Sequence, residues 1–485
     1  MRERMSPWQR GRVPLILLAL AVATRVWDVG NPIVHVDEQY YLLVGDRMLR
    51  GALPYVDIWD RKPIGLFAIY AAIRLLPGNG IVAYQLVALL FAAATAWVVE
   101  RMARKVGGSR GAALAAGAAY LVWLPLLSGR AGQSPVFYDL FVTLSALLSL
   151  RLPELAGERR VGAIVGNGAI VCLLAGLAIQ TKYTPAVEGA YFGVVHLVYL
   201  RRARARWRVT GAAAMAWIVL GLAPTALVVA IYWAKGPAVF AAFWFANFSS
   251  ILLRHGYPAS KIAMRLLGTW AQLSPLAIAA GVALYAGPRG GVRGIAFGWL
   301  AAALVGYAMI GAFFDHYALP LAAPLCVAAA PTFSRYRRAM IVALAAGCAV
   351  FAVKLALRTD DRAAIHAVAR TMAANDHGRC PYVFAGDSIL YHLAQACLPT
   401  AYAFPSTLAY APEQGATGID EAGEVARIMT AAPPVVVTLD HPLADWNVRS
   451  LTVMRAALAR DYRLVQIAPR EGGHMLVYRR RTHPG

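Results

Sequence analysis

The chain alternates long apolar stretches with short polar connectors. Stretches able to cross a bilayer, which takes roughly 17 to 25 residues each, fall at 13–28, 80–99, 110–128, 135–150, 161–180, 184–200, 210–233, 262–286, 294–313, 316–332 and 339–357. They predict about eleven transmembrane helices. The 135–150 stretch is short for a span, and 161–180 is parted from 184–200 only by the break at Lys182 and Tyr183.

The connectors test this count, because short cytoplasmic loops are enriched in Lys and Arg. Basic groups appear at Arg2, Arg4, Arg10 and Arg12, at Arg101, Arg104, Lys105 and Arg110, and at Arg151, Arg159 and Arg160. They return at Arg201, Arg202, Arg204, Arg206 and Arg208, at Arg289 and Arg293, and at Arg335, Arg337 and Arg338. Every second connector is basic, and one miscounted span would break that phase. The N-terminus is therefore expected in the cytoplasm. Its basic start and apolar run resemble a signal peptide, but no small-x-small cleavage site follows at a useful place and Arg25 interrupts the run, so it is read as the first helix.

Composition agrees: 59% of the 485 residues are hydrophobic, 15% are charged, and the mean hydropathy is +0.54, too apolar for a soluble domain. The 47 Lys and Arg against 25 Asp and Glu give a formal charge of +22. Such an excess suits nucleic acid only when gathered on one surface. Here it is dispersed between apolar stretches, so membrane lipids and not nucleic acid are the expected partners.

After residue 357 the composition turns soluble, and parity places 358–485 outside. β-like runs at 382–385, 435–439, 464–467 and 475–478 alternate with helix-like segments at 361–375, 388–396, 419–431 and 449–460, which predicts a small α/β domain. The fold class expected is an α-helical polytopic membrane domain over 1–357 with this domain appended. Cys380 and Cys397 either pair as a disulfide in an oxidising compartment or stand as buried thiols; Cys172, Cys326 and Cys348 lie within predicted helices. No Cys or His spacing suggests zinc.

The first outer loop, 28–79, is long for a membrane connector. Residues 38–50 suit a helix lying in the membrane interface, a charged elbow carries Asp57, Asp60, Arg61 and Lys62, and a second apolar helix starts after Pro63. At the head of the first helix stand adjacent acids, Asp37 and Glu38. Capping alone would explain Asp37, although a capping box would need Glu or Gln where Tyr40 stands, and the helix dipole would favour Glu38. Yet further ionisable groups share the outer side: Asp139, Lys182, Arg254, His255, Asp315 and His316. Charges at membrane depth are costly and usually functional or paired. Acids and bases gathered on one face suggest a site that handles a phosphate and moves a proton. Arg254 and His255 are read as solvated loop residues.

The acidic pair, the segment PYVDIWDRKP from Pro54 to Pro63, the lysine-bearing turn GLAIQTKYTP and the late HYALP from His316 resemble the GT-C membrane glycosyltransferases. The similar branch holds protein O-mannosyltransferases and lipid A aminoarabinose transferases. The resemblance covers residues 13 to about 330, and YVFAGDSILYHLA in the tail resembles the end domains of bacterial members. It implies transfer of a sugar, usually with inversion, from a polyprenyl-phosphate-linked donor to an acceptor lipid, glycan or protein. It also implies Asp37 as the base with Glu38 beside it, and Arg61, Lys62, Lys182 and His316 at the donor phosphate. Tyr40, Trp59, Tyr183, Tyr317, Asp57, Asp60 and Asp139 are the expected substrate-binding residues, Asp139 as the second acid at a position that matches the family less closely. Capping, snorkelling or pairing among themselves remains open for each. No cofactor is expected to be required, with a divalent metal at Asp37 and Glu38 as the variant. The Ala- and Arg-rich composition points to a bacterial inner membrane. A lipid-linked-sugar flippase, or an O-antigen polymerase or ligase, is the alternative. The first would place charges near the midplane and the second would need a larger loop than 234–261.

Overall fold

The computed structural model describes residues 7–287, 290–376 and 378–481, with side chains from residue 11 onward. Among them a helix stands at every predicted membrane segment: α1 (Pro7–Arg25), then, beyond the two helices of the first loop, α2 (Val36–Leu49) and α3 (Ile64–Arg74), α4 (Ile81–Lys105), α5 (Arg110–Leu126), α6 (Ser134–Ser149) continued by α7 (Leu152–Gly157), α8 (Val161–Ile179), α9 (Pro185–Arg202) and α10 (Trp207–Ala234). After α11 (Pro237–Trp244) come α12 (Ala259–Ala286), α13 (Gly291–Ala308), α14 (Leu319–Arg335) and α15 (Arg337–Ala356). Eight of the described helices are long and apolar enough to cross a membrane by length and composition, taking α6 with α7 and α14 with the turn before it. The others fall short for visible reasons: α1 opens on Arg10 and Arg12, α5 has 17 residues, and α9 carries Glu188, Arg201 and Arg202.

The chain forms two compact units. One comprises Met1–Val29, Tyr84–Val228 and Pro258–Leu357; the other comprises Gly30–Ala83, Val229–Tyr257 and Arg358–Gly485. In the first, α14 is the core helix, with 78% of its apolar window buried and with α5, α12, α13 and α15 packed on it. By contrast 6% of the α10 window and 11% of the α15 window are buried, the exposure expected of lipid-facing helices. Small residues allow the close approaches: a Cβ at Gly347 would meet the Trp123 ring at 2.6 Å.

In the second unit the tail shares one compact body with the first loop and residues 229–257. Its sheet runs β1 (Tyr382–Val383), β2 (Val435–Leu439), β4 (Gly473–Arg480), β3 (Tyr462–Arg470); β1 and β2 are parallel and the other pairs antiparallel. β2, VVVTL, is buried at every position, as a strand inside a sheet covered on both faces must be. Helices α16 (Arg362–Ala374), α17 (Ile389–Leu393), α18 (Pro405–Ala409), α19 (Glu421–Thr430) and α20 (Val448–Asp461) complete the tail. Cys380 and Cys397 form a disulfide, their Cα atoms 5.0 Å apart. α2 crosses α3 at Gly45, where a Cβ would come within 2.7 Å of the Ala71 nitrogen. α17 packs against α2.

Candidate active site

The head of α2 differs from the sequence expectation in a way that matters chemically. The helix starts at Val36, and its N-cap is His35, whose Nδ1 accepts the Asp37 amide at 3.2 Å. With His35 as the cap, Asp37 lies inside the first turn and its carboxylate is directed to other groups. Successive residues on a helix point about 100° apart. Glu38 therefore turns inward and is fully buried, whereas the Asp37 side chain keeps 15% exposure. The two acids do not face each other.

The elbow brings the partners. Asp57 Oδ2 accepts the Leu53 amide at 2.7 Å, which closes a turn; Asp57 is exposed and serves that turn. Tyr55 adopts a left-handed φ of 71° and donates from its hydroxyl to Lys62 O at 2.8 Å. Such a conformation is costly for a bulky residue and is held here by the Tyr232 and Phe243 rings, each 5.5 Å away. The result is that Lys62 Nζ stands 3.7 Å from Asp37 Oδ1 and 3.7 Å from Asp60 Oδ1, with the Tyr41 ring 5.0 Å below it. His35 Nδ1 lies 3.8 Å from Asp37 Oδ2. Burial raises the Asp60 carboxyl above its ordinary value; Lys62 partly offsets this and the Asp37 charge adds to it.

Other expected ligands have structural occupations. Arg61 uses all three guanidinium nitrogens: Nε on Ser250 Oγ at 3.0 Å, Nη2 on Ala416 O at 2.8 Å, and Nη1 on Glu413. Arg254, which the sequence suggested was solvated, pairs with the same Glu413 at 2.8 Å, while His255 is exposed as expected. Tyr40 is fully buried and donates to Trp59 O at 2.7 Å, and burial raises its phenol far above the ordinary value, so it remains a donor. Trp59 is 5% exposed, between the Arg61 guanidinium at 4.6 Å and the Tyr402 ring at 5.5 Å. Tyr40 and Trp59 thus pack within the elbow.

A second group forms in the membrane unit. Pro185 and Pro320 sit in the first turns of α9 and α14, where a missing N–H costs nothing, and they set the turns carrying Lys182 and His316. Lys182 Nζ lies 4.5 Å over the Tyr317 ring, and the His316 ring packs 4.4 Å from Tyr317 and stacks on Phe314. Tyr183 is half-buried beside them. Asp139 is buried in α6, accepts the Tyr120 hydroxyl at 3.1 Å and lies within electrostatic reach of Lys182 and Glu188.

Sequence reasoning missed Glu413, Glu188 and Arg265. Glu188 accepts the Trp299 indole N–H at 2.6 Å, and Arg265 covers the Phe314 ring at 3.7 Å. A charge inside an otherwise apolar helix marked both Glu188 and Arg265; nothing local marked Glu413, whose partners lie far away in sequence.

No protein-family profile matches the chain, and no curated protein resembles it in sequence. Solved structures do. ArnT from Cupriavidus metallidurans, crystallised with undecaprenyl phosphate, superposes with a TM-score of 0.62 at 14% identity over 98% of this chain and 98% of that one. Its apo form gives 0.62 at 15% identity over 97% and 98%. The oligosaccharyltransferase AglB from Archaeoglobus fulgidus, in complex with an inhibitory peptide and a dolichol-phosphate, gives 0.53 at 11% identity over 90% and 70%. At these identities the likeness establishes the fold alone: the chain is folded like ArnT over nearly its whole length.

Proposed function

We propose that this membrane protein is a GT-C type glycosyltransferase acting on the non-cytoplasmic face, moving a sugar from a polyprenyl-phosphate-linked donor to an acceptor lipid, glycan or protein. The observation that carries the reading is the His35–Asp37–Lys62–Asp60 cluster at the head of α2, a carboxylate with a cation at its side on an outer loop. The two structural neighbours support the donor class, since both were solved with a polyprenyl-type lipid monophosphate.

In this reading the acceptor O–H gives its proton to an Asp37 oxygen as the acceptor oxygen attacks the anomeric carbon. The bond from that carbon to the lipid phosphate oxygen breaks, and the polyprenyl phosphate leaves with the electron pair. Attack opposite the leaving group inverts the anomeric centre. A carboxylate is ionised at neutral pH and serves as a base without further activation. Lys62 supplies positive charge for the phosphate. Arg61, engaged with Glu413, Ser250 and Ala416, positions the elbow. The step as written needs no metal, and EDTA is expected to leave it unchanged.

Asp37→Asn tests the base. Transfer from a radiolabelled polyprenyl-phosphate sugar in proteoliposomes is expected to fall by about 10²- to 10⁴-fold, the range for loss of a general base, with folding retained. Wild-type activity in that variant would overturn the assignment. A reporter fused after Lys354 is expected to act outside; cytoplasmic activity would reverse the proposed face.

A further inference from the structure

A buried chain of polar groups ties the tail to the first turn of α2. Gln39 is fully buried; its Nε2 donates to Asp387 Oδ1 at 2.8 Å and its Oε1 accepts the Ile389 amide at 3.4 Å. Asp387, 1% exposed, takes a two-point bond from Arg470, Nε to Oδ2 at 2.8 Å and Nη2 to Oδ1 at 3.1 Å. Arg470 also faces Asp361 Oδ2 at 3.5 Å, and that oxygen accepts the Glu471 amide at 2.7 Å. Buried charges are tolerated when paired and hydrogen-bonded, and such networks fix one arrangement of the groups they join. This network joins three distant stretches of the tail to a single side chain of α2.

The position of that side chain gives the network its meaning. Gln39 follows Asp37 by two residues, about 200° around the helix. The tail therefore grips α2 on the side turned away from the Asp37 carboxylate. Farther along α2 the tail holds Arg50, whose Nη2 meets Gln395 Oε1 at 2.8 Å, and Arg47, which donates to Ala396 O. Those contacts fix the end of the helix; the first turn, where helices fray, is held from the tail by Gln39. A rotation of about 15° sweeps a carboxylate at a radius of roughly 5 Å by about 1.3 Å. Misplacement on that scale costs on the order of 10²-fold in rate.

We propose that Gln39, Asp387 and Arg470 are positioning residues for transfer, the tail setting the rotation of the first turn of α2 and so the placement of Asp37 against Lys62. This rests on Asp37 acting as the base. The tail is then a working part of the transfer centre.

The test uses the full-length protein in proteoliposomes with a radiolabelled polyprenyl-phosphate sugar. Wild-type transfer is measured first, and its absence would remove the transferase reading and the proposal with it. Gln39→Met keeps the volume, removes both side-chain bonds and leaves Asp387 paired with Arg470. Its kcat is expected to fall about tenfold or more, with the donor KM within about twofold and the melting temperature within a few degrees. A kcat within about twofold of wild type, or a loss of kcat with a matching loss of stability, overturns the proposal while the transferase reading stands. Amides in the first turn of α2 are expected to exchange hydrogen faster in Gln39→Met, and unchanged exchange overturns the positioning role whatever the activity. Arg470→Lys, which keeps the charge, is expected to retain more transfer than Arg470→Gln; equal values count against the proposal.

Discussion

Replacing Lys62 by Met separates the electrostatics of the site from its architecture. Lys62 Nζ lies 3.7 Å from one oxygen of Asp37 and 3.7 Å from one of Asp60. A unit-charge pair at that separation is worth about 4.5 kcal/mol at an effective dielectric constant near 20. The Lys62 side chain is 26% exposed, so solvent screening brings each contact nearer ~1 kcal/mol. The elbow itself should survive, because its bonds through Lys62 use the main chain: Lys62 O accepts from Tyr55 at 2.8 Å and Lys62 N donates to Asp60 at 3.1 Å. The fold is therefore expected to lose about 2 kcal/mol or less. The cost to transfer is expected to be larger. A donor aimed at charge that develops in the transition state contributes roughly 10²- to 10³-fold in kcat. Lys62→Met should lower kcat by about 10²-fold and weaken undecaprenyl phosphate binding, measured by tryptophan fluorescence, while Lys62→Arg recovers part of both. Unaltered lipid binding together with more than half of wild-type transfer would show that Lys62 only neutralises Asp37 and Asp60, and would refute the phosphate role.

Three further outcomes follow from the same unit. Gly45→Val is expected to destabilise the protein by ~1–3 kcal/mol, because its side chain meets the main chain of Tyr70 and Ala71, which cannot swing aside; an unchanged melting temperature would contradict the packing of α2 on α3. Asp60 has a folded pKa raised above the unfolded value, chiefly by burial, so its contribution to stability is complete below about pH 4 and is lost as pH rises through the raised value. Relative to Asp60→Asn, the wild type should therefore lose melting temperature as pH rises above about 4, and parallel curves would refute that assignment. Cys380→Ser with Cys397→Ser opens a link across a sequence separation of 17 and is expected to cost about 3 kcal/mol; a reduced and an oxidised sample of wild type with the same melting temperature would argue against it.

Much of the molecule follows from the order of residue types. Apolar length located the helices of the membrane segments, because a helix in lipid satisfies its own backbone and needs only about 20 apolar residues to do so. The tail strands and the two helices of the first loop were legible for the same kind of reason, since periodicity and Pro63 act over a few residues. The prolines of TKYTP and HYALP likewise set local turns that bring Lys182 and His316 to helix starts. What only the tertiary structure decided depends on partners remote in the chain. Asp37 looked like a cap until His35 was seen to fill that place. Nothing near Arg61 in the sequence announces Glu413 and Ser250, which take its nitrogens. Gln39, between Glu38 and Tyr40, has no local signal at all; its burial against Asp387 and Arg470 comes from packing across hundreds of residues. Local sequence fixes backbone conformation through short-range sterics and hydrophobic period, whereas the charge that faces a given carboxylate is set by how distant segments close on each other.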